Sequence, residues 1–375
     1  MKMKNEFSKN FNAEFNNLAS NSDNGIRKNG RNIRTKKAKK AISLMLVCSM
    51  ALCMMISMAG CGSDGSDSDN GMTKITFCLD WTPNTNHTGL YVAQANGYYE
   101  EAGLEVEIVQ PPENGAGQMC ASGEAQFAIE AQDTMAAALA FDEPLGITAV
   151  AAVLQHNTSG IMSREGDGID TPAGLTGRTY STWDSPIEQA MLKNVVNADG
   201  GDFDKVKLIP NDITDEPAAL KAKQTDAIWV FEGWGKITAD INDVAVDYFA
   251  FADIDETFDY YTPVIIANNE FLAENPDAAK KFLEATAKGY EFAAENPDAA
   301  AEILIAGDNT GSLAEAEELV KTSQEFLSGK YIDDAAQWGY IDPARWNAFY
   351  KWLYDNKLCE KDLTDKGFSN DYLPQ

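Results

Sequence analysis

From Lys74 onward, short apolar runs rich in Val, Ile, Phe and Ala alternate with longer stretches whose apolar residues recur every three or four positions. That alternation predicts an α/β protein. Strands are predicted at 74–79, 105–109, 125–129, 146–153, 177–181, 205–209, 227–231, 246–251 and 263–267. Helices are predicted at 88–101, 134–139, 186–197 and 216–223. After Asn268 the pattern is helical to the end of the chain. Glu-Asn-Pro-Asp-Ala-Ala occurs at 274–279 and again at 295–300. Asn275 and Asn296 are expected to cap two helices whose first positions hold Pro276 and Pro297, where a missing N–H costs nothing. Two β/α lobes followed by a helical tail that returns to the first would suit a hinged binding protein.

The segment ahead of this body is different. Arg27, Lys28, Arg31, Arg34, Lys36, Lys37, Lys39 and Lys40 precede an apolar run over residues 41–60, and Cys61 follows Gly60. Basic residues, an apolar run and small residues before a cleavage point are the parts of an export signal. Met58-Ala59-Gly60-Cys61 resembles a bacterial lipobox. The expectation is a signal peptide over 1–60 and a lipid (palmitate) anchor on Cys61. Residues 61–72 would form a flexible Gly/Ser/Asp/Asn tether. The alternative is a single transmembrane anchor, since 20 mostly apolar residues can span a bilayer.

Charge divides the chain at the same place. Residues 1–60 carry 11 Lys/Arg against 3 Asp/Glu, whereas the remainder carries 19 against 55, within a total net charge of −28. So acidic a body repels phosphate backbones, which argues against a nucleic-acid partner. Cys78, Cys120 and Cys359 remain in the body at irregular spacing, signalling neither a disulfide framework nor zinc and matching small buried apolar residues. His87 and His156 are the only histidines, and they stand in no Cys/His cluster. No metal site, cofactor or nucleotide-binding motif is indicated.

Open α/β sheets bind ligands beyond the carboxyl ends of their strands. Those positions hold Asp80, Trp81 and His87 after the first predicted strand, then Glu130 and Gln132 after the third. Trp183, Asp184 and Glu188 follow the fifth, and Trp229, Glu232 and Trp234 stand at or after the seventh. Tyr261 precedes the ninth. Aromatic faces beside carboxylates suit a flat, nitrogen-rich ring that stacks on the former and donates hydrogen bonds to the latter. The competing assignment places the aromatics in the core. Ser185-Pro186-Ile187-Glu188 reads as a capping box, which would commit Glu188 to a helix start.

Three blocks carry a family resemblance: residues 79–84 (LDWTPN), 87–94 (HTGLYVAQ) and 97–104 (GYYEEAGL). They resemble the opening of substrate-binding proteins for thiamine pyrimidine precursors. That branch lies within the sulfonate-, nitrate- and taurine-type binding proteins of ABC importers. The resemblance implies a two-lobed type II periplasmic-binding-protein fold with a hinge and a ligand cleft between lobes. Residues 73–162 and 263–375 would form lobe 1 and residues 163–262 lobe 2. It also implies ligand positions at Asp80, Trp81 and His87. A fungal branch of the family is enzymatic and consumes pyridoxal phosphate and its own histidine. The Lys and His of that branch are absent here from residues 128–134, where Glu130 occupies the Schiff-base position, so covalent capture is unavailable.

The expected protein is therefore not an enzyme and uses no cofactor. It would be a monomeric, extracytoplasmic, membrane-anchored receptor that passes an aminopyrimidine-like molecule to ABC permease subunits. The alternative ligand is a sulfonate, nitrate or taurine-type anion; a pyrimidine-precursor synthase ranks third. Bidentate oxyanion recognition favours arginine, and the body holds only Arg164, Arg178 and Arg345, none in a nominated loop.

Overall fold

The computed structural model describes residues 71–211 and 213–374. The expected signal peptide, Cys61 and nearly all of the tether lie outside the described residues. Among those described, no helix is long and apolar enough to cross a membrane.

Among the described residues, ten strands form two sheets: β1 (Thr73–Cys78), β2 (Leu104–Val109), β3 (Phe127–Glu130), β4 (Ile147–Ala152), β5 (Ser159–Arg164), β6 (Thr179–Thr182), β7 (Lys207–Pro210), β8 (Ala227–Phe231), β9 (Val246–Ala250) and β10 (Val264–Asn268). The first sheet has the order β2-β1-β3-β10-β4 and the second β7-β6-β8-β5-β9. Each contains three parallel strands followed by an antiparallel strand that is the first to enter after a crossing between sheets. The crossings run over residues 153–158 and 251–263.

β5 is the strand that periodicity missed. Its sequence, Ser-Gly-Ile-Met-Ser-Arg, has little β-type character, yet all but its last residue are buried. Gly160 is required there: a Cβ would sit 2.2 Å from the Phe249 carbonyl oxygen and 2.6 Å from the Tyr248 ring. Because β5 belongs to the second sheet, the outward crossing precedes Ser159, several residues ahead of the boundary expected after 162.

Seven helices concern the site: α1 (Thr88–Ala95), α2 (Gln132–Ala140), α3 (Pro186–Ala198), α4 (Pro276–Glu295), α5 (Pro297–Gly307), α6 (Glu317–Ser328) and α7 (Pro343–Asp355). The single helix expected over 88–101 is broken by Gly97, at φ +75°. Asn275 and Asn296 do precede α4 and α5 with Pro first, but neither side chain makes the capping bond. Asn296 instead turns its amide back onto the Phe292 carbonyl. The tail is not helical throughout: beyond α7 the chain runs irregularly and Phe368 bridges Ala149 at the free edge of β4.

The core of the first sheet is aromatic where α4 crosses it, with the Phe127 and Phe282 rings 4.2 Å apart. Cys78, Cys120 and Cys359 are buried free thiols.

Candidate functional site

The carboxyl end of β1 delivers Asp80 and Trp81 to the surface. Trp81 is 65% exposed, which is unusual for so large an apolar side chain. Asp80 is held from below. The Asn84 backbone N–H donates to His87 Nδ1 at 3.2 Å, so Nε2 carries the proton and donates to Asp80 Oδ1 at 2.8 Å. His87 itself is fully buried with both ring nitrogens used. It orients Asp80 and is not placed to touch a ligand, contrary to the sequence-based expectation.

At the last position of β3, Glu130 Oε1 accepts from the Ala131 N–H at 3.1 Å and the Thr134 hydroxyl at 2.5 Å. Burial nevertheless pushes this carboxyl up to about 7, against the pull of those two bonds. Burial likewise raises Asp133 to about 6. Gln132, between them, is buried and spent on structure. Its Oε1 accepts from the Tyr261 N–H at 3.0 Å and its Nε2 donates to the Trp346 carbonyl at 2.8 Å. Tyr261 is equally committed, its hydroxyl accepting from the Asp342 N–H at 2.8 Å. Both side chains are buried and face no ligand, contrary to expectation, because the return strand and α7 engage their polar groups.

In the second lobe, Ser185 and Glu188 form the expected capping box. Glu188 is buried, and its two oxygens accept from the Tyr180 and Thr182 hydroxyls and from the Trp183 and Ser185 N–H groups. No lone pair is left over for a ligand, so the carboxylate shapes the turn instead. That turn places Asp184 at φ +62°, a region few non-glycine residues occupy, and leaves Trp183 52% exposed. Beneath it the Trp229 ring lies 5.6 Å away, and Trp229 lies 4.1 Å from Phe251 of the return crossing. Trp229 is therefore a buried backing to Trp183. The aromatic series continues through Phe258 to Trp352 of α7.

At the end of β8, Phe231 is 38% exposed and Glu232 is half-buried, its carboxyl raised by burial. Phe231 was missed because it ends a continuous apolar run that reads as core. Trp234 goes elsewhere than expected. A wide helical turn over Glu232–Lys236 carries it against an apolar cluster containing Tyr91, Leu304 and Val320. The adjoining Gly233 carbonyl accepts from the Ser323 hydroxyl, which itself pairs with Thr85 at 2.6 Å. That chain ties the first lobe's loop to the second lobe through α6.

Two surface depressions lie away from these strand ends. One, of about 300 Å³, adjoins the opposite end of β1 at Thr73; the other, of about 450 Å³, is lined by Asp215, Lys221, Trp234 and Leu319. Among the described residues no group of three or more His, Cys, Asp or Glu is arranged to hold a metal ion. Each arginine of the body is engaged within the protein. Arg164 pairs with Asp167 and Asp226, Arg178 donates to the Asp167 carbonyl, and Arg345 pairs with Asp259 and Asp334. The strand ends thus present exposed indoles and carboxyls of raised pKa, and the guanidinium at that end of the first sheet, Arg345 over the Tyr261 ring, is already engaged by Asp259, Asp334 and the Gln155 carbonyl.

Comparison with known proteins agrees with this architecture. The alkanesulfonate-binding protein SsuA from Xanthomonas axonopodis pv. citri, bound to MOPS, superposes with a TM-score of 0.58 at 12% identity, covering 79% of this chain and 98% of that one. The fold is therefore that of the two-lobed periplasmic binding proteins. In sequence, the formylaminopyrimidine-binding protein of Halalkalibacterium halodurans is 29% identical over 332 residues, 87% of this chain and 96% of that protein. The Saccharomyces cerevisiae 4-amino-5-hydroxymethyl-2-methylpyrimidine phosphate synthase THI11 is 27% identical over 227 residues, 57% of this chain and 65% of the synthase. The family described as NMT1/THI5 like matches residues 84–300, more than half of the chain, and the protein belongs to that family.

Proposed function

We propose that this protein is an extracytoplasmic solute receptor of an ABC importer, tethered through lipid on Cys61, and that its ligand is a small aminopyrimidine. The observation that carries the reading is that exposed Trp81 and Trp183, and the Glu130 carboxyl raised by burial, all stand at carboxyl ends of strands. An aminopyrimidine presents an amino donor beside a ring-nitrogen acceptor. A carboxyl that still holds its proton near neutral pH offers the complementary acceptor and donor, while the indoles stack on the ring. The formylaminopyrimidine-binding relative supports the same ligand class.

A sulfonate lacks support from the arginines of the body, each of which is already engaged by carboxylates or carbonyls of the protein. By the family resemblance, the lysine of the fungal synthases' route would fall where this chain has Glu130, so that route lacks its lysine. The test is mass spectrometry of small molecules released from the purified, denatured protein, with thermal-shift titration of aminopyrimidines, taurine and alkanesulfonates. Recovery of a methylpyrimidine and stabilisation by aminopyrimidines are expected, since a ligand bound only by the folded state stabilises it. Stabilisation by sulfonates alone would overturn the reading. For the anchor, Cys61→Ser should release protein from the membrane or leave uncleaved precursor.

A further inference from the structure

The two crossings between the sheets are tied to each other and to the tail. In the outward crossing, Gln155 is fastened to the tail: its N–H donates to the Lys330 carbonyl at 3.0 Å and its Nε2 to the Tyr340 carbonyl at 3.2 Å. Ser159 already lies in β5 of the second sheet. The outward chain therefore changes sheet over His156, Asn157 and Thr158. Asp259 of the return crossing meets this stretch. Its Oδ1 accepts from the Asn157 N–H at 2.9 Å, and its Oδ2 lies 2.7 Å from His156 Nδ1. The Asn157 side-chain amide adds a bond to the Phe258 carbonyl at 2.8 Å.

His156 also reaches the tail itself. Its Nε2 lies 3.2 Å from Asp334 Oδ1, in the segment between α6 and α7. Arg345 of α7 faces both carboxylates, at 3.4 Å from Asp259 and 3.8 Å from Asp334, whereas the nearby Lys330 is turned to Asp333 at 3.7 Å. Both ring nitrogens of His156 thus face carboxylate oxygens. A neutral imidazole has one N–H and one lone pair, so it satisfies one of these contacts and sets its lone pair against the other carboxylate. Only the imidazolium donates to both. The His156 side chain is 29% exposed and that of Asp334 64%, so water and protons reach the cluster.

We propose that His156, as an imidazolium, is the clasp of a pH-gated hinge, joining the outward crossing to the return crossing through Asp259 and to the tail through Asp334. In the arrangement it holds, the lobes meet through the chain of Thr85, Ser323 and Gly233. When the proton leaves, one of the two contacts breaks, the crossings gain freedom and the lobes part more readily. The hydrogen bond to Asp259 holds the imidazole above its usual 6.5, so the clasp is shut below that pH and opens above it. Arg345 stays charged throughout, so the change belongs to the histidine. The clasp adds regulation to the receptor reading and rests on it only in placing the ligand between the lobes, from which it leaves faster once they part.

The experiment is hydrogen exchange read by mass spectrometry on the detergent-solubilised, full-length protein without ligand, which reports opening of the crossings themselves. Peptides covering residues 153–158 and 256–260 are followed from about pH 5.5 to about pH 8.5, spanning the titration of a histidine, with intrinsic exchange divided out. Wild-type crossings should open about two- to fivefold more at the upper end, the range of a partly exposed ion pair. His156→Gln, whose amide carries no charge, should show the upper value throughout. Asp334→Asn, at an exposed site, should move the change to lower pH. In stopped flow, 4-amino-5-hydroxymethyl-2-methylpyrimidine should leave the wild type faster over the same range. The His156→Gln protein should lack that rise, any dependence common to both belonging to other groups such as Glu130. Crossings that open equally at every pH, or the same profile in wild type and His156→Gln for either measurement, would overturn the clasp. If His156→Gln fails to fold, Asp334→Asn decides alone, and an unmoved profile counts against the proposal. Crossings that behave as expected in a protein that binds no aminopyrimidine keep the clasp and remove only the aminopyrimidine reading.

Discussion

His87, with no solvent exposure, donates through Nε2 across 2.8 Å to Oδ1 of Asp80, whose side chain is 37% exposed at the end of β1. A buried imidazole thus sets the direction of a carboxylate that solvent and ligand can reach. A hydrogen bond to a charged group is worth roughly 1.5–3 kcal/mol. Asp80→Ala should accordingly weaken aminopyrimidine binding on the order of tenfold or more. His87→Ala should act through Asp80. Calorimetry on the double variant should give a dissociation constant no weaker than that of Asp80→Ala alone; additive losses would mean that His87 meets the ligand independently.

Exposed and packed tryptophans should behave oppositely. Trp81→Ala and Trp183→Ala should each weaken binding about fivefold, corresponding to about 1 kcal/mol of stacking, with little change in melting temperature. Trp234→Ala should instead lower stability, by up to about 3 kcal/mol for an aromatic removed from an apolar cluster, and bind ligand normally. Calorimetry paired with chemical denaturation separates the two classes. Loss of binding without loss of stability in Trp234→Ala would return it to the site.

The Glu130 carboxyl, raised by burial to about 7 from an ordinary 4.5, holds its proton in the folded state over a range where the unfolded chain has lost it. Its contribution to stability is therefore complete below about pH 4.5 and lost as pH rises to about 7. Asp133 acts in the same direction between 3.8 and about 6. Denaturant titrations at several pH values should show unfolding free energy falling across this window, and Glu130→Gln should flatten the upper part of the fall. An unchanged slope in that variant would place the titration elsewhere.

His156 titrates at the crossings. Its Nδ1 lies 2.7 Å from Asp259 Oδ2 and its Nε2 3.2 Å from Asp334 Oδ1, while Arg345 faces the same carboxylates. The hydrogen bond to Asp259 raises the imidazole above its usual 6.5, opposed by partial burial and by the Arg345 charge, and assisted by the charges of Asp259 and Asp334. The stabilisation is full below pH 6.5 and is lost as pH climbs through the raised value. In His156→Gln the decline in melting temperature above pH 6.5 should disappear. A variant that keeps that slope would exclude His156 as its source.

Features carried by neighbours in the chain were legible before the structure. Alternation of period located nine strands, and the Ser185 to Glu188 box could be read because cap and partner are three residues apart. The fold followed from the same local patterns together with the motif around Asp80, Trp81 and His87. What could not be read is which way each nominated side chain is turned. Gln132 is captured by Tyr261 and Trp346, 129 and 214 positions away, and Trp234 by residues of α5 and α6. β5 was invisible because its pairing depends on Gly160 fitting under Phe249 and Tyr248, a steric match between distant segments. Local periodicity reports the conformation that backbone and burial favour, whereas the fate of a polar or aromatic group at a strand end is decided by partners that only tertiary packing brings within 3 to 5 Å.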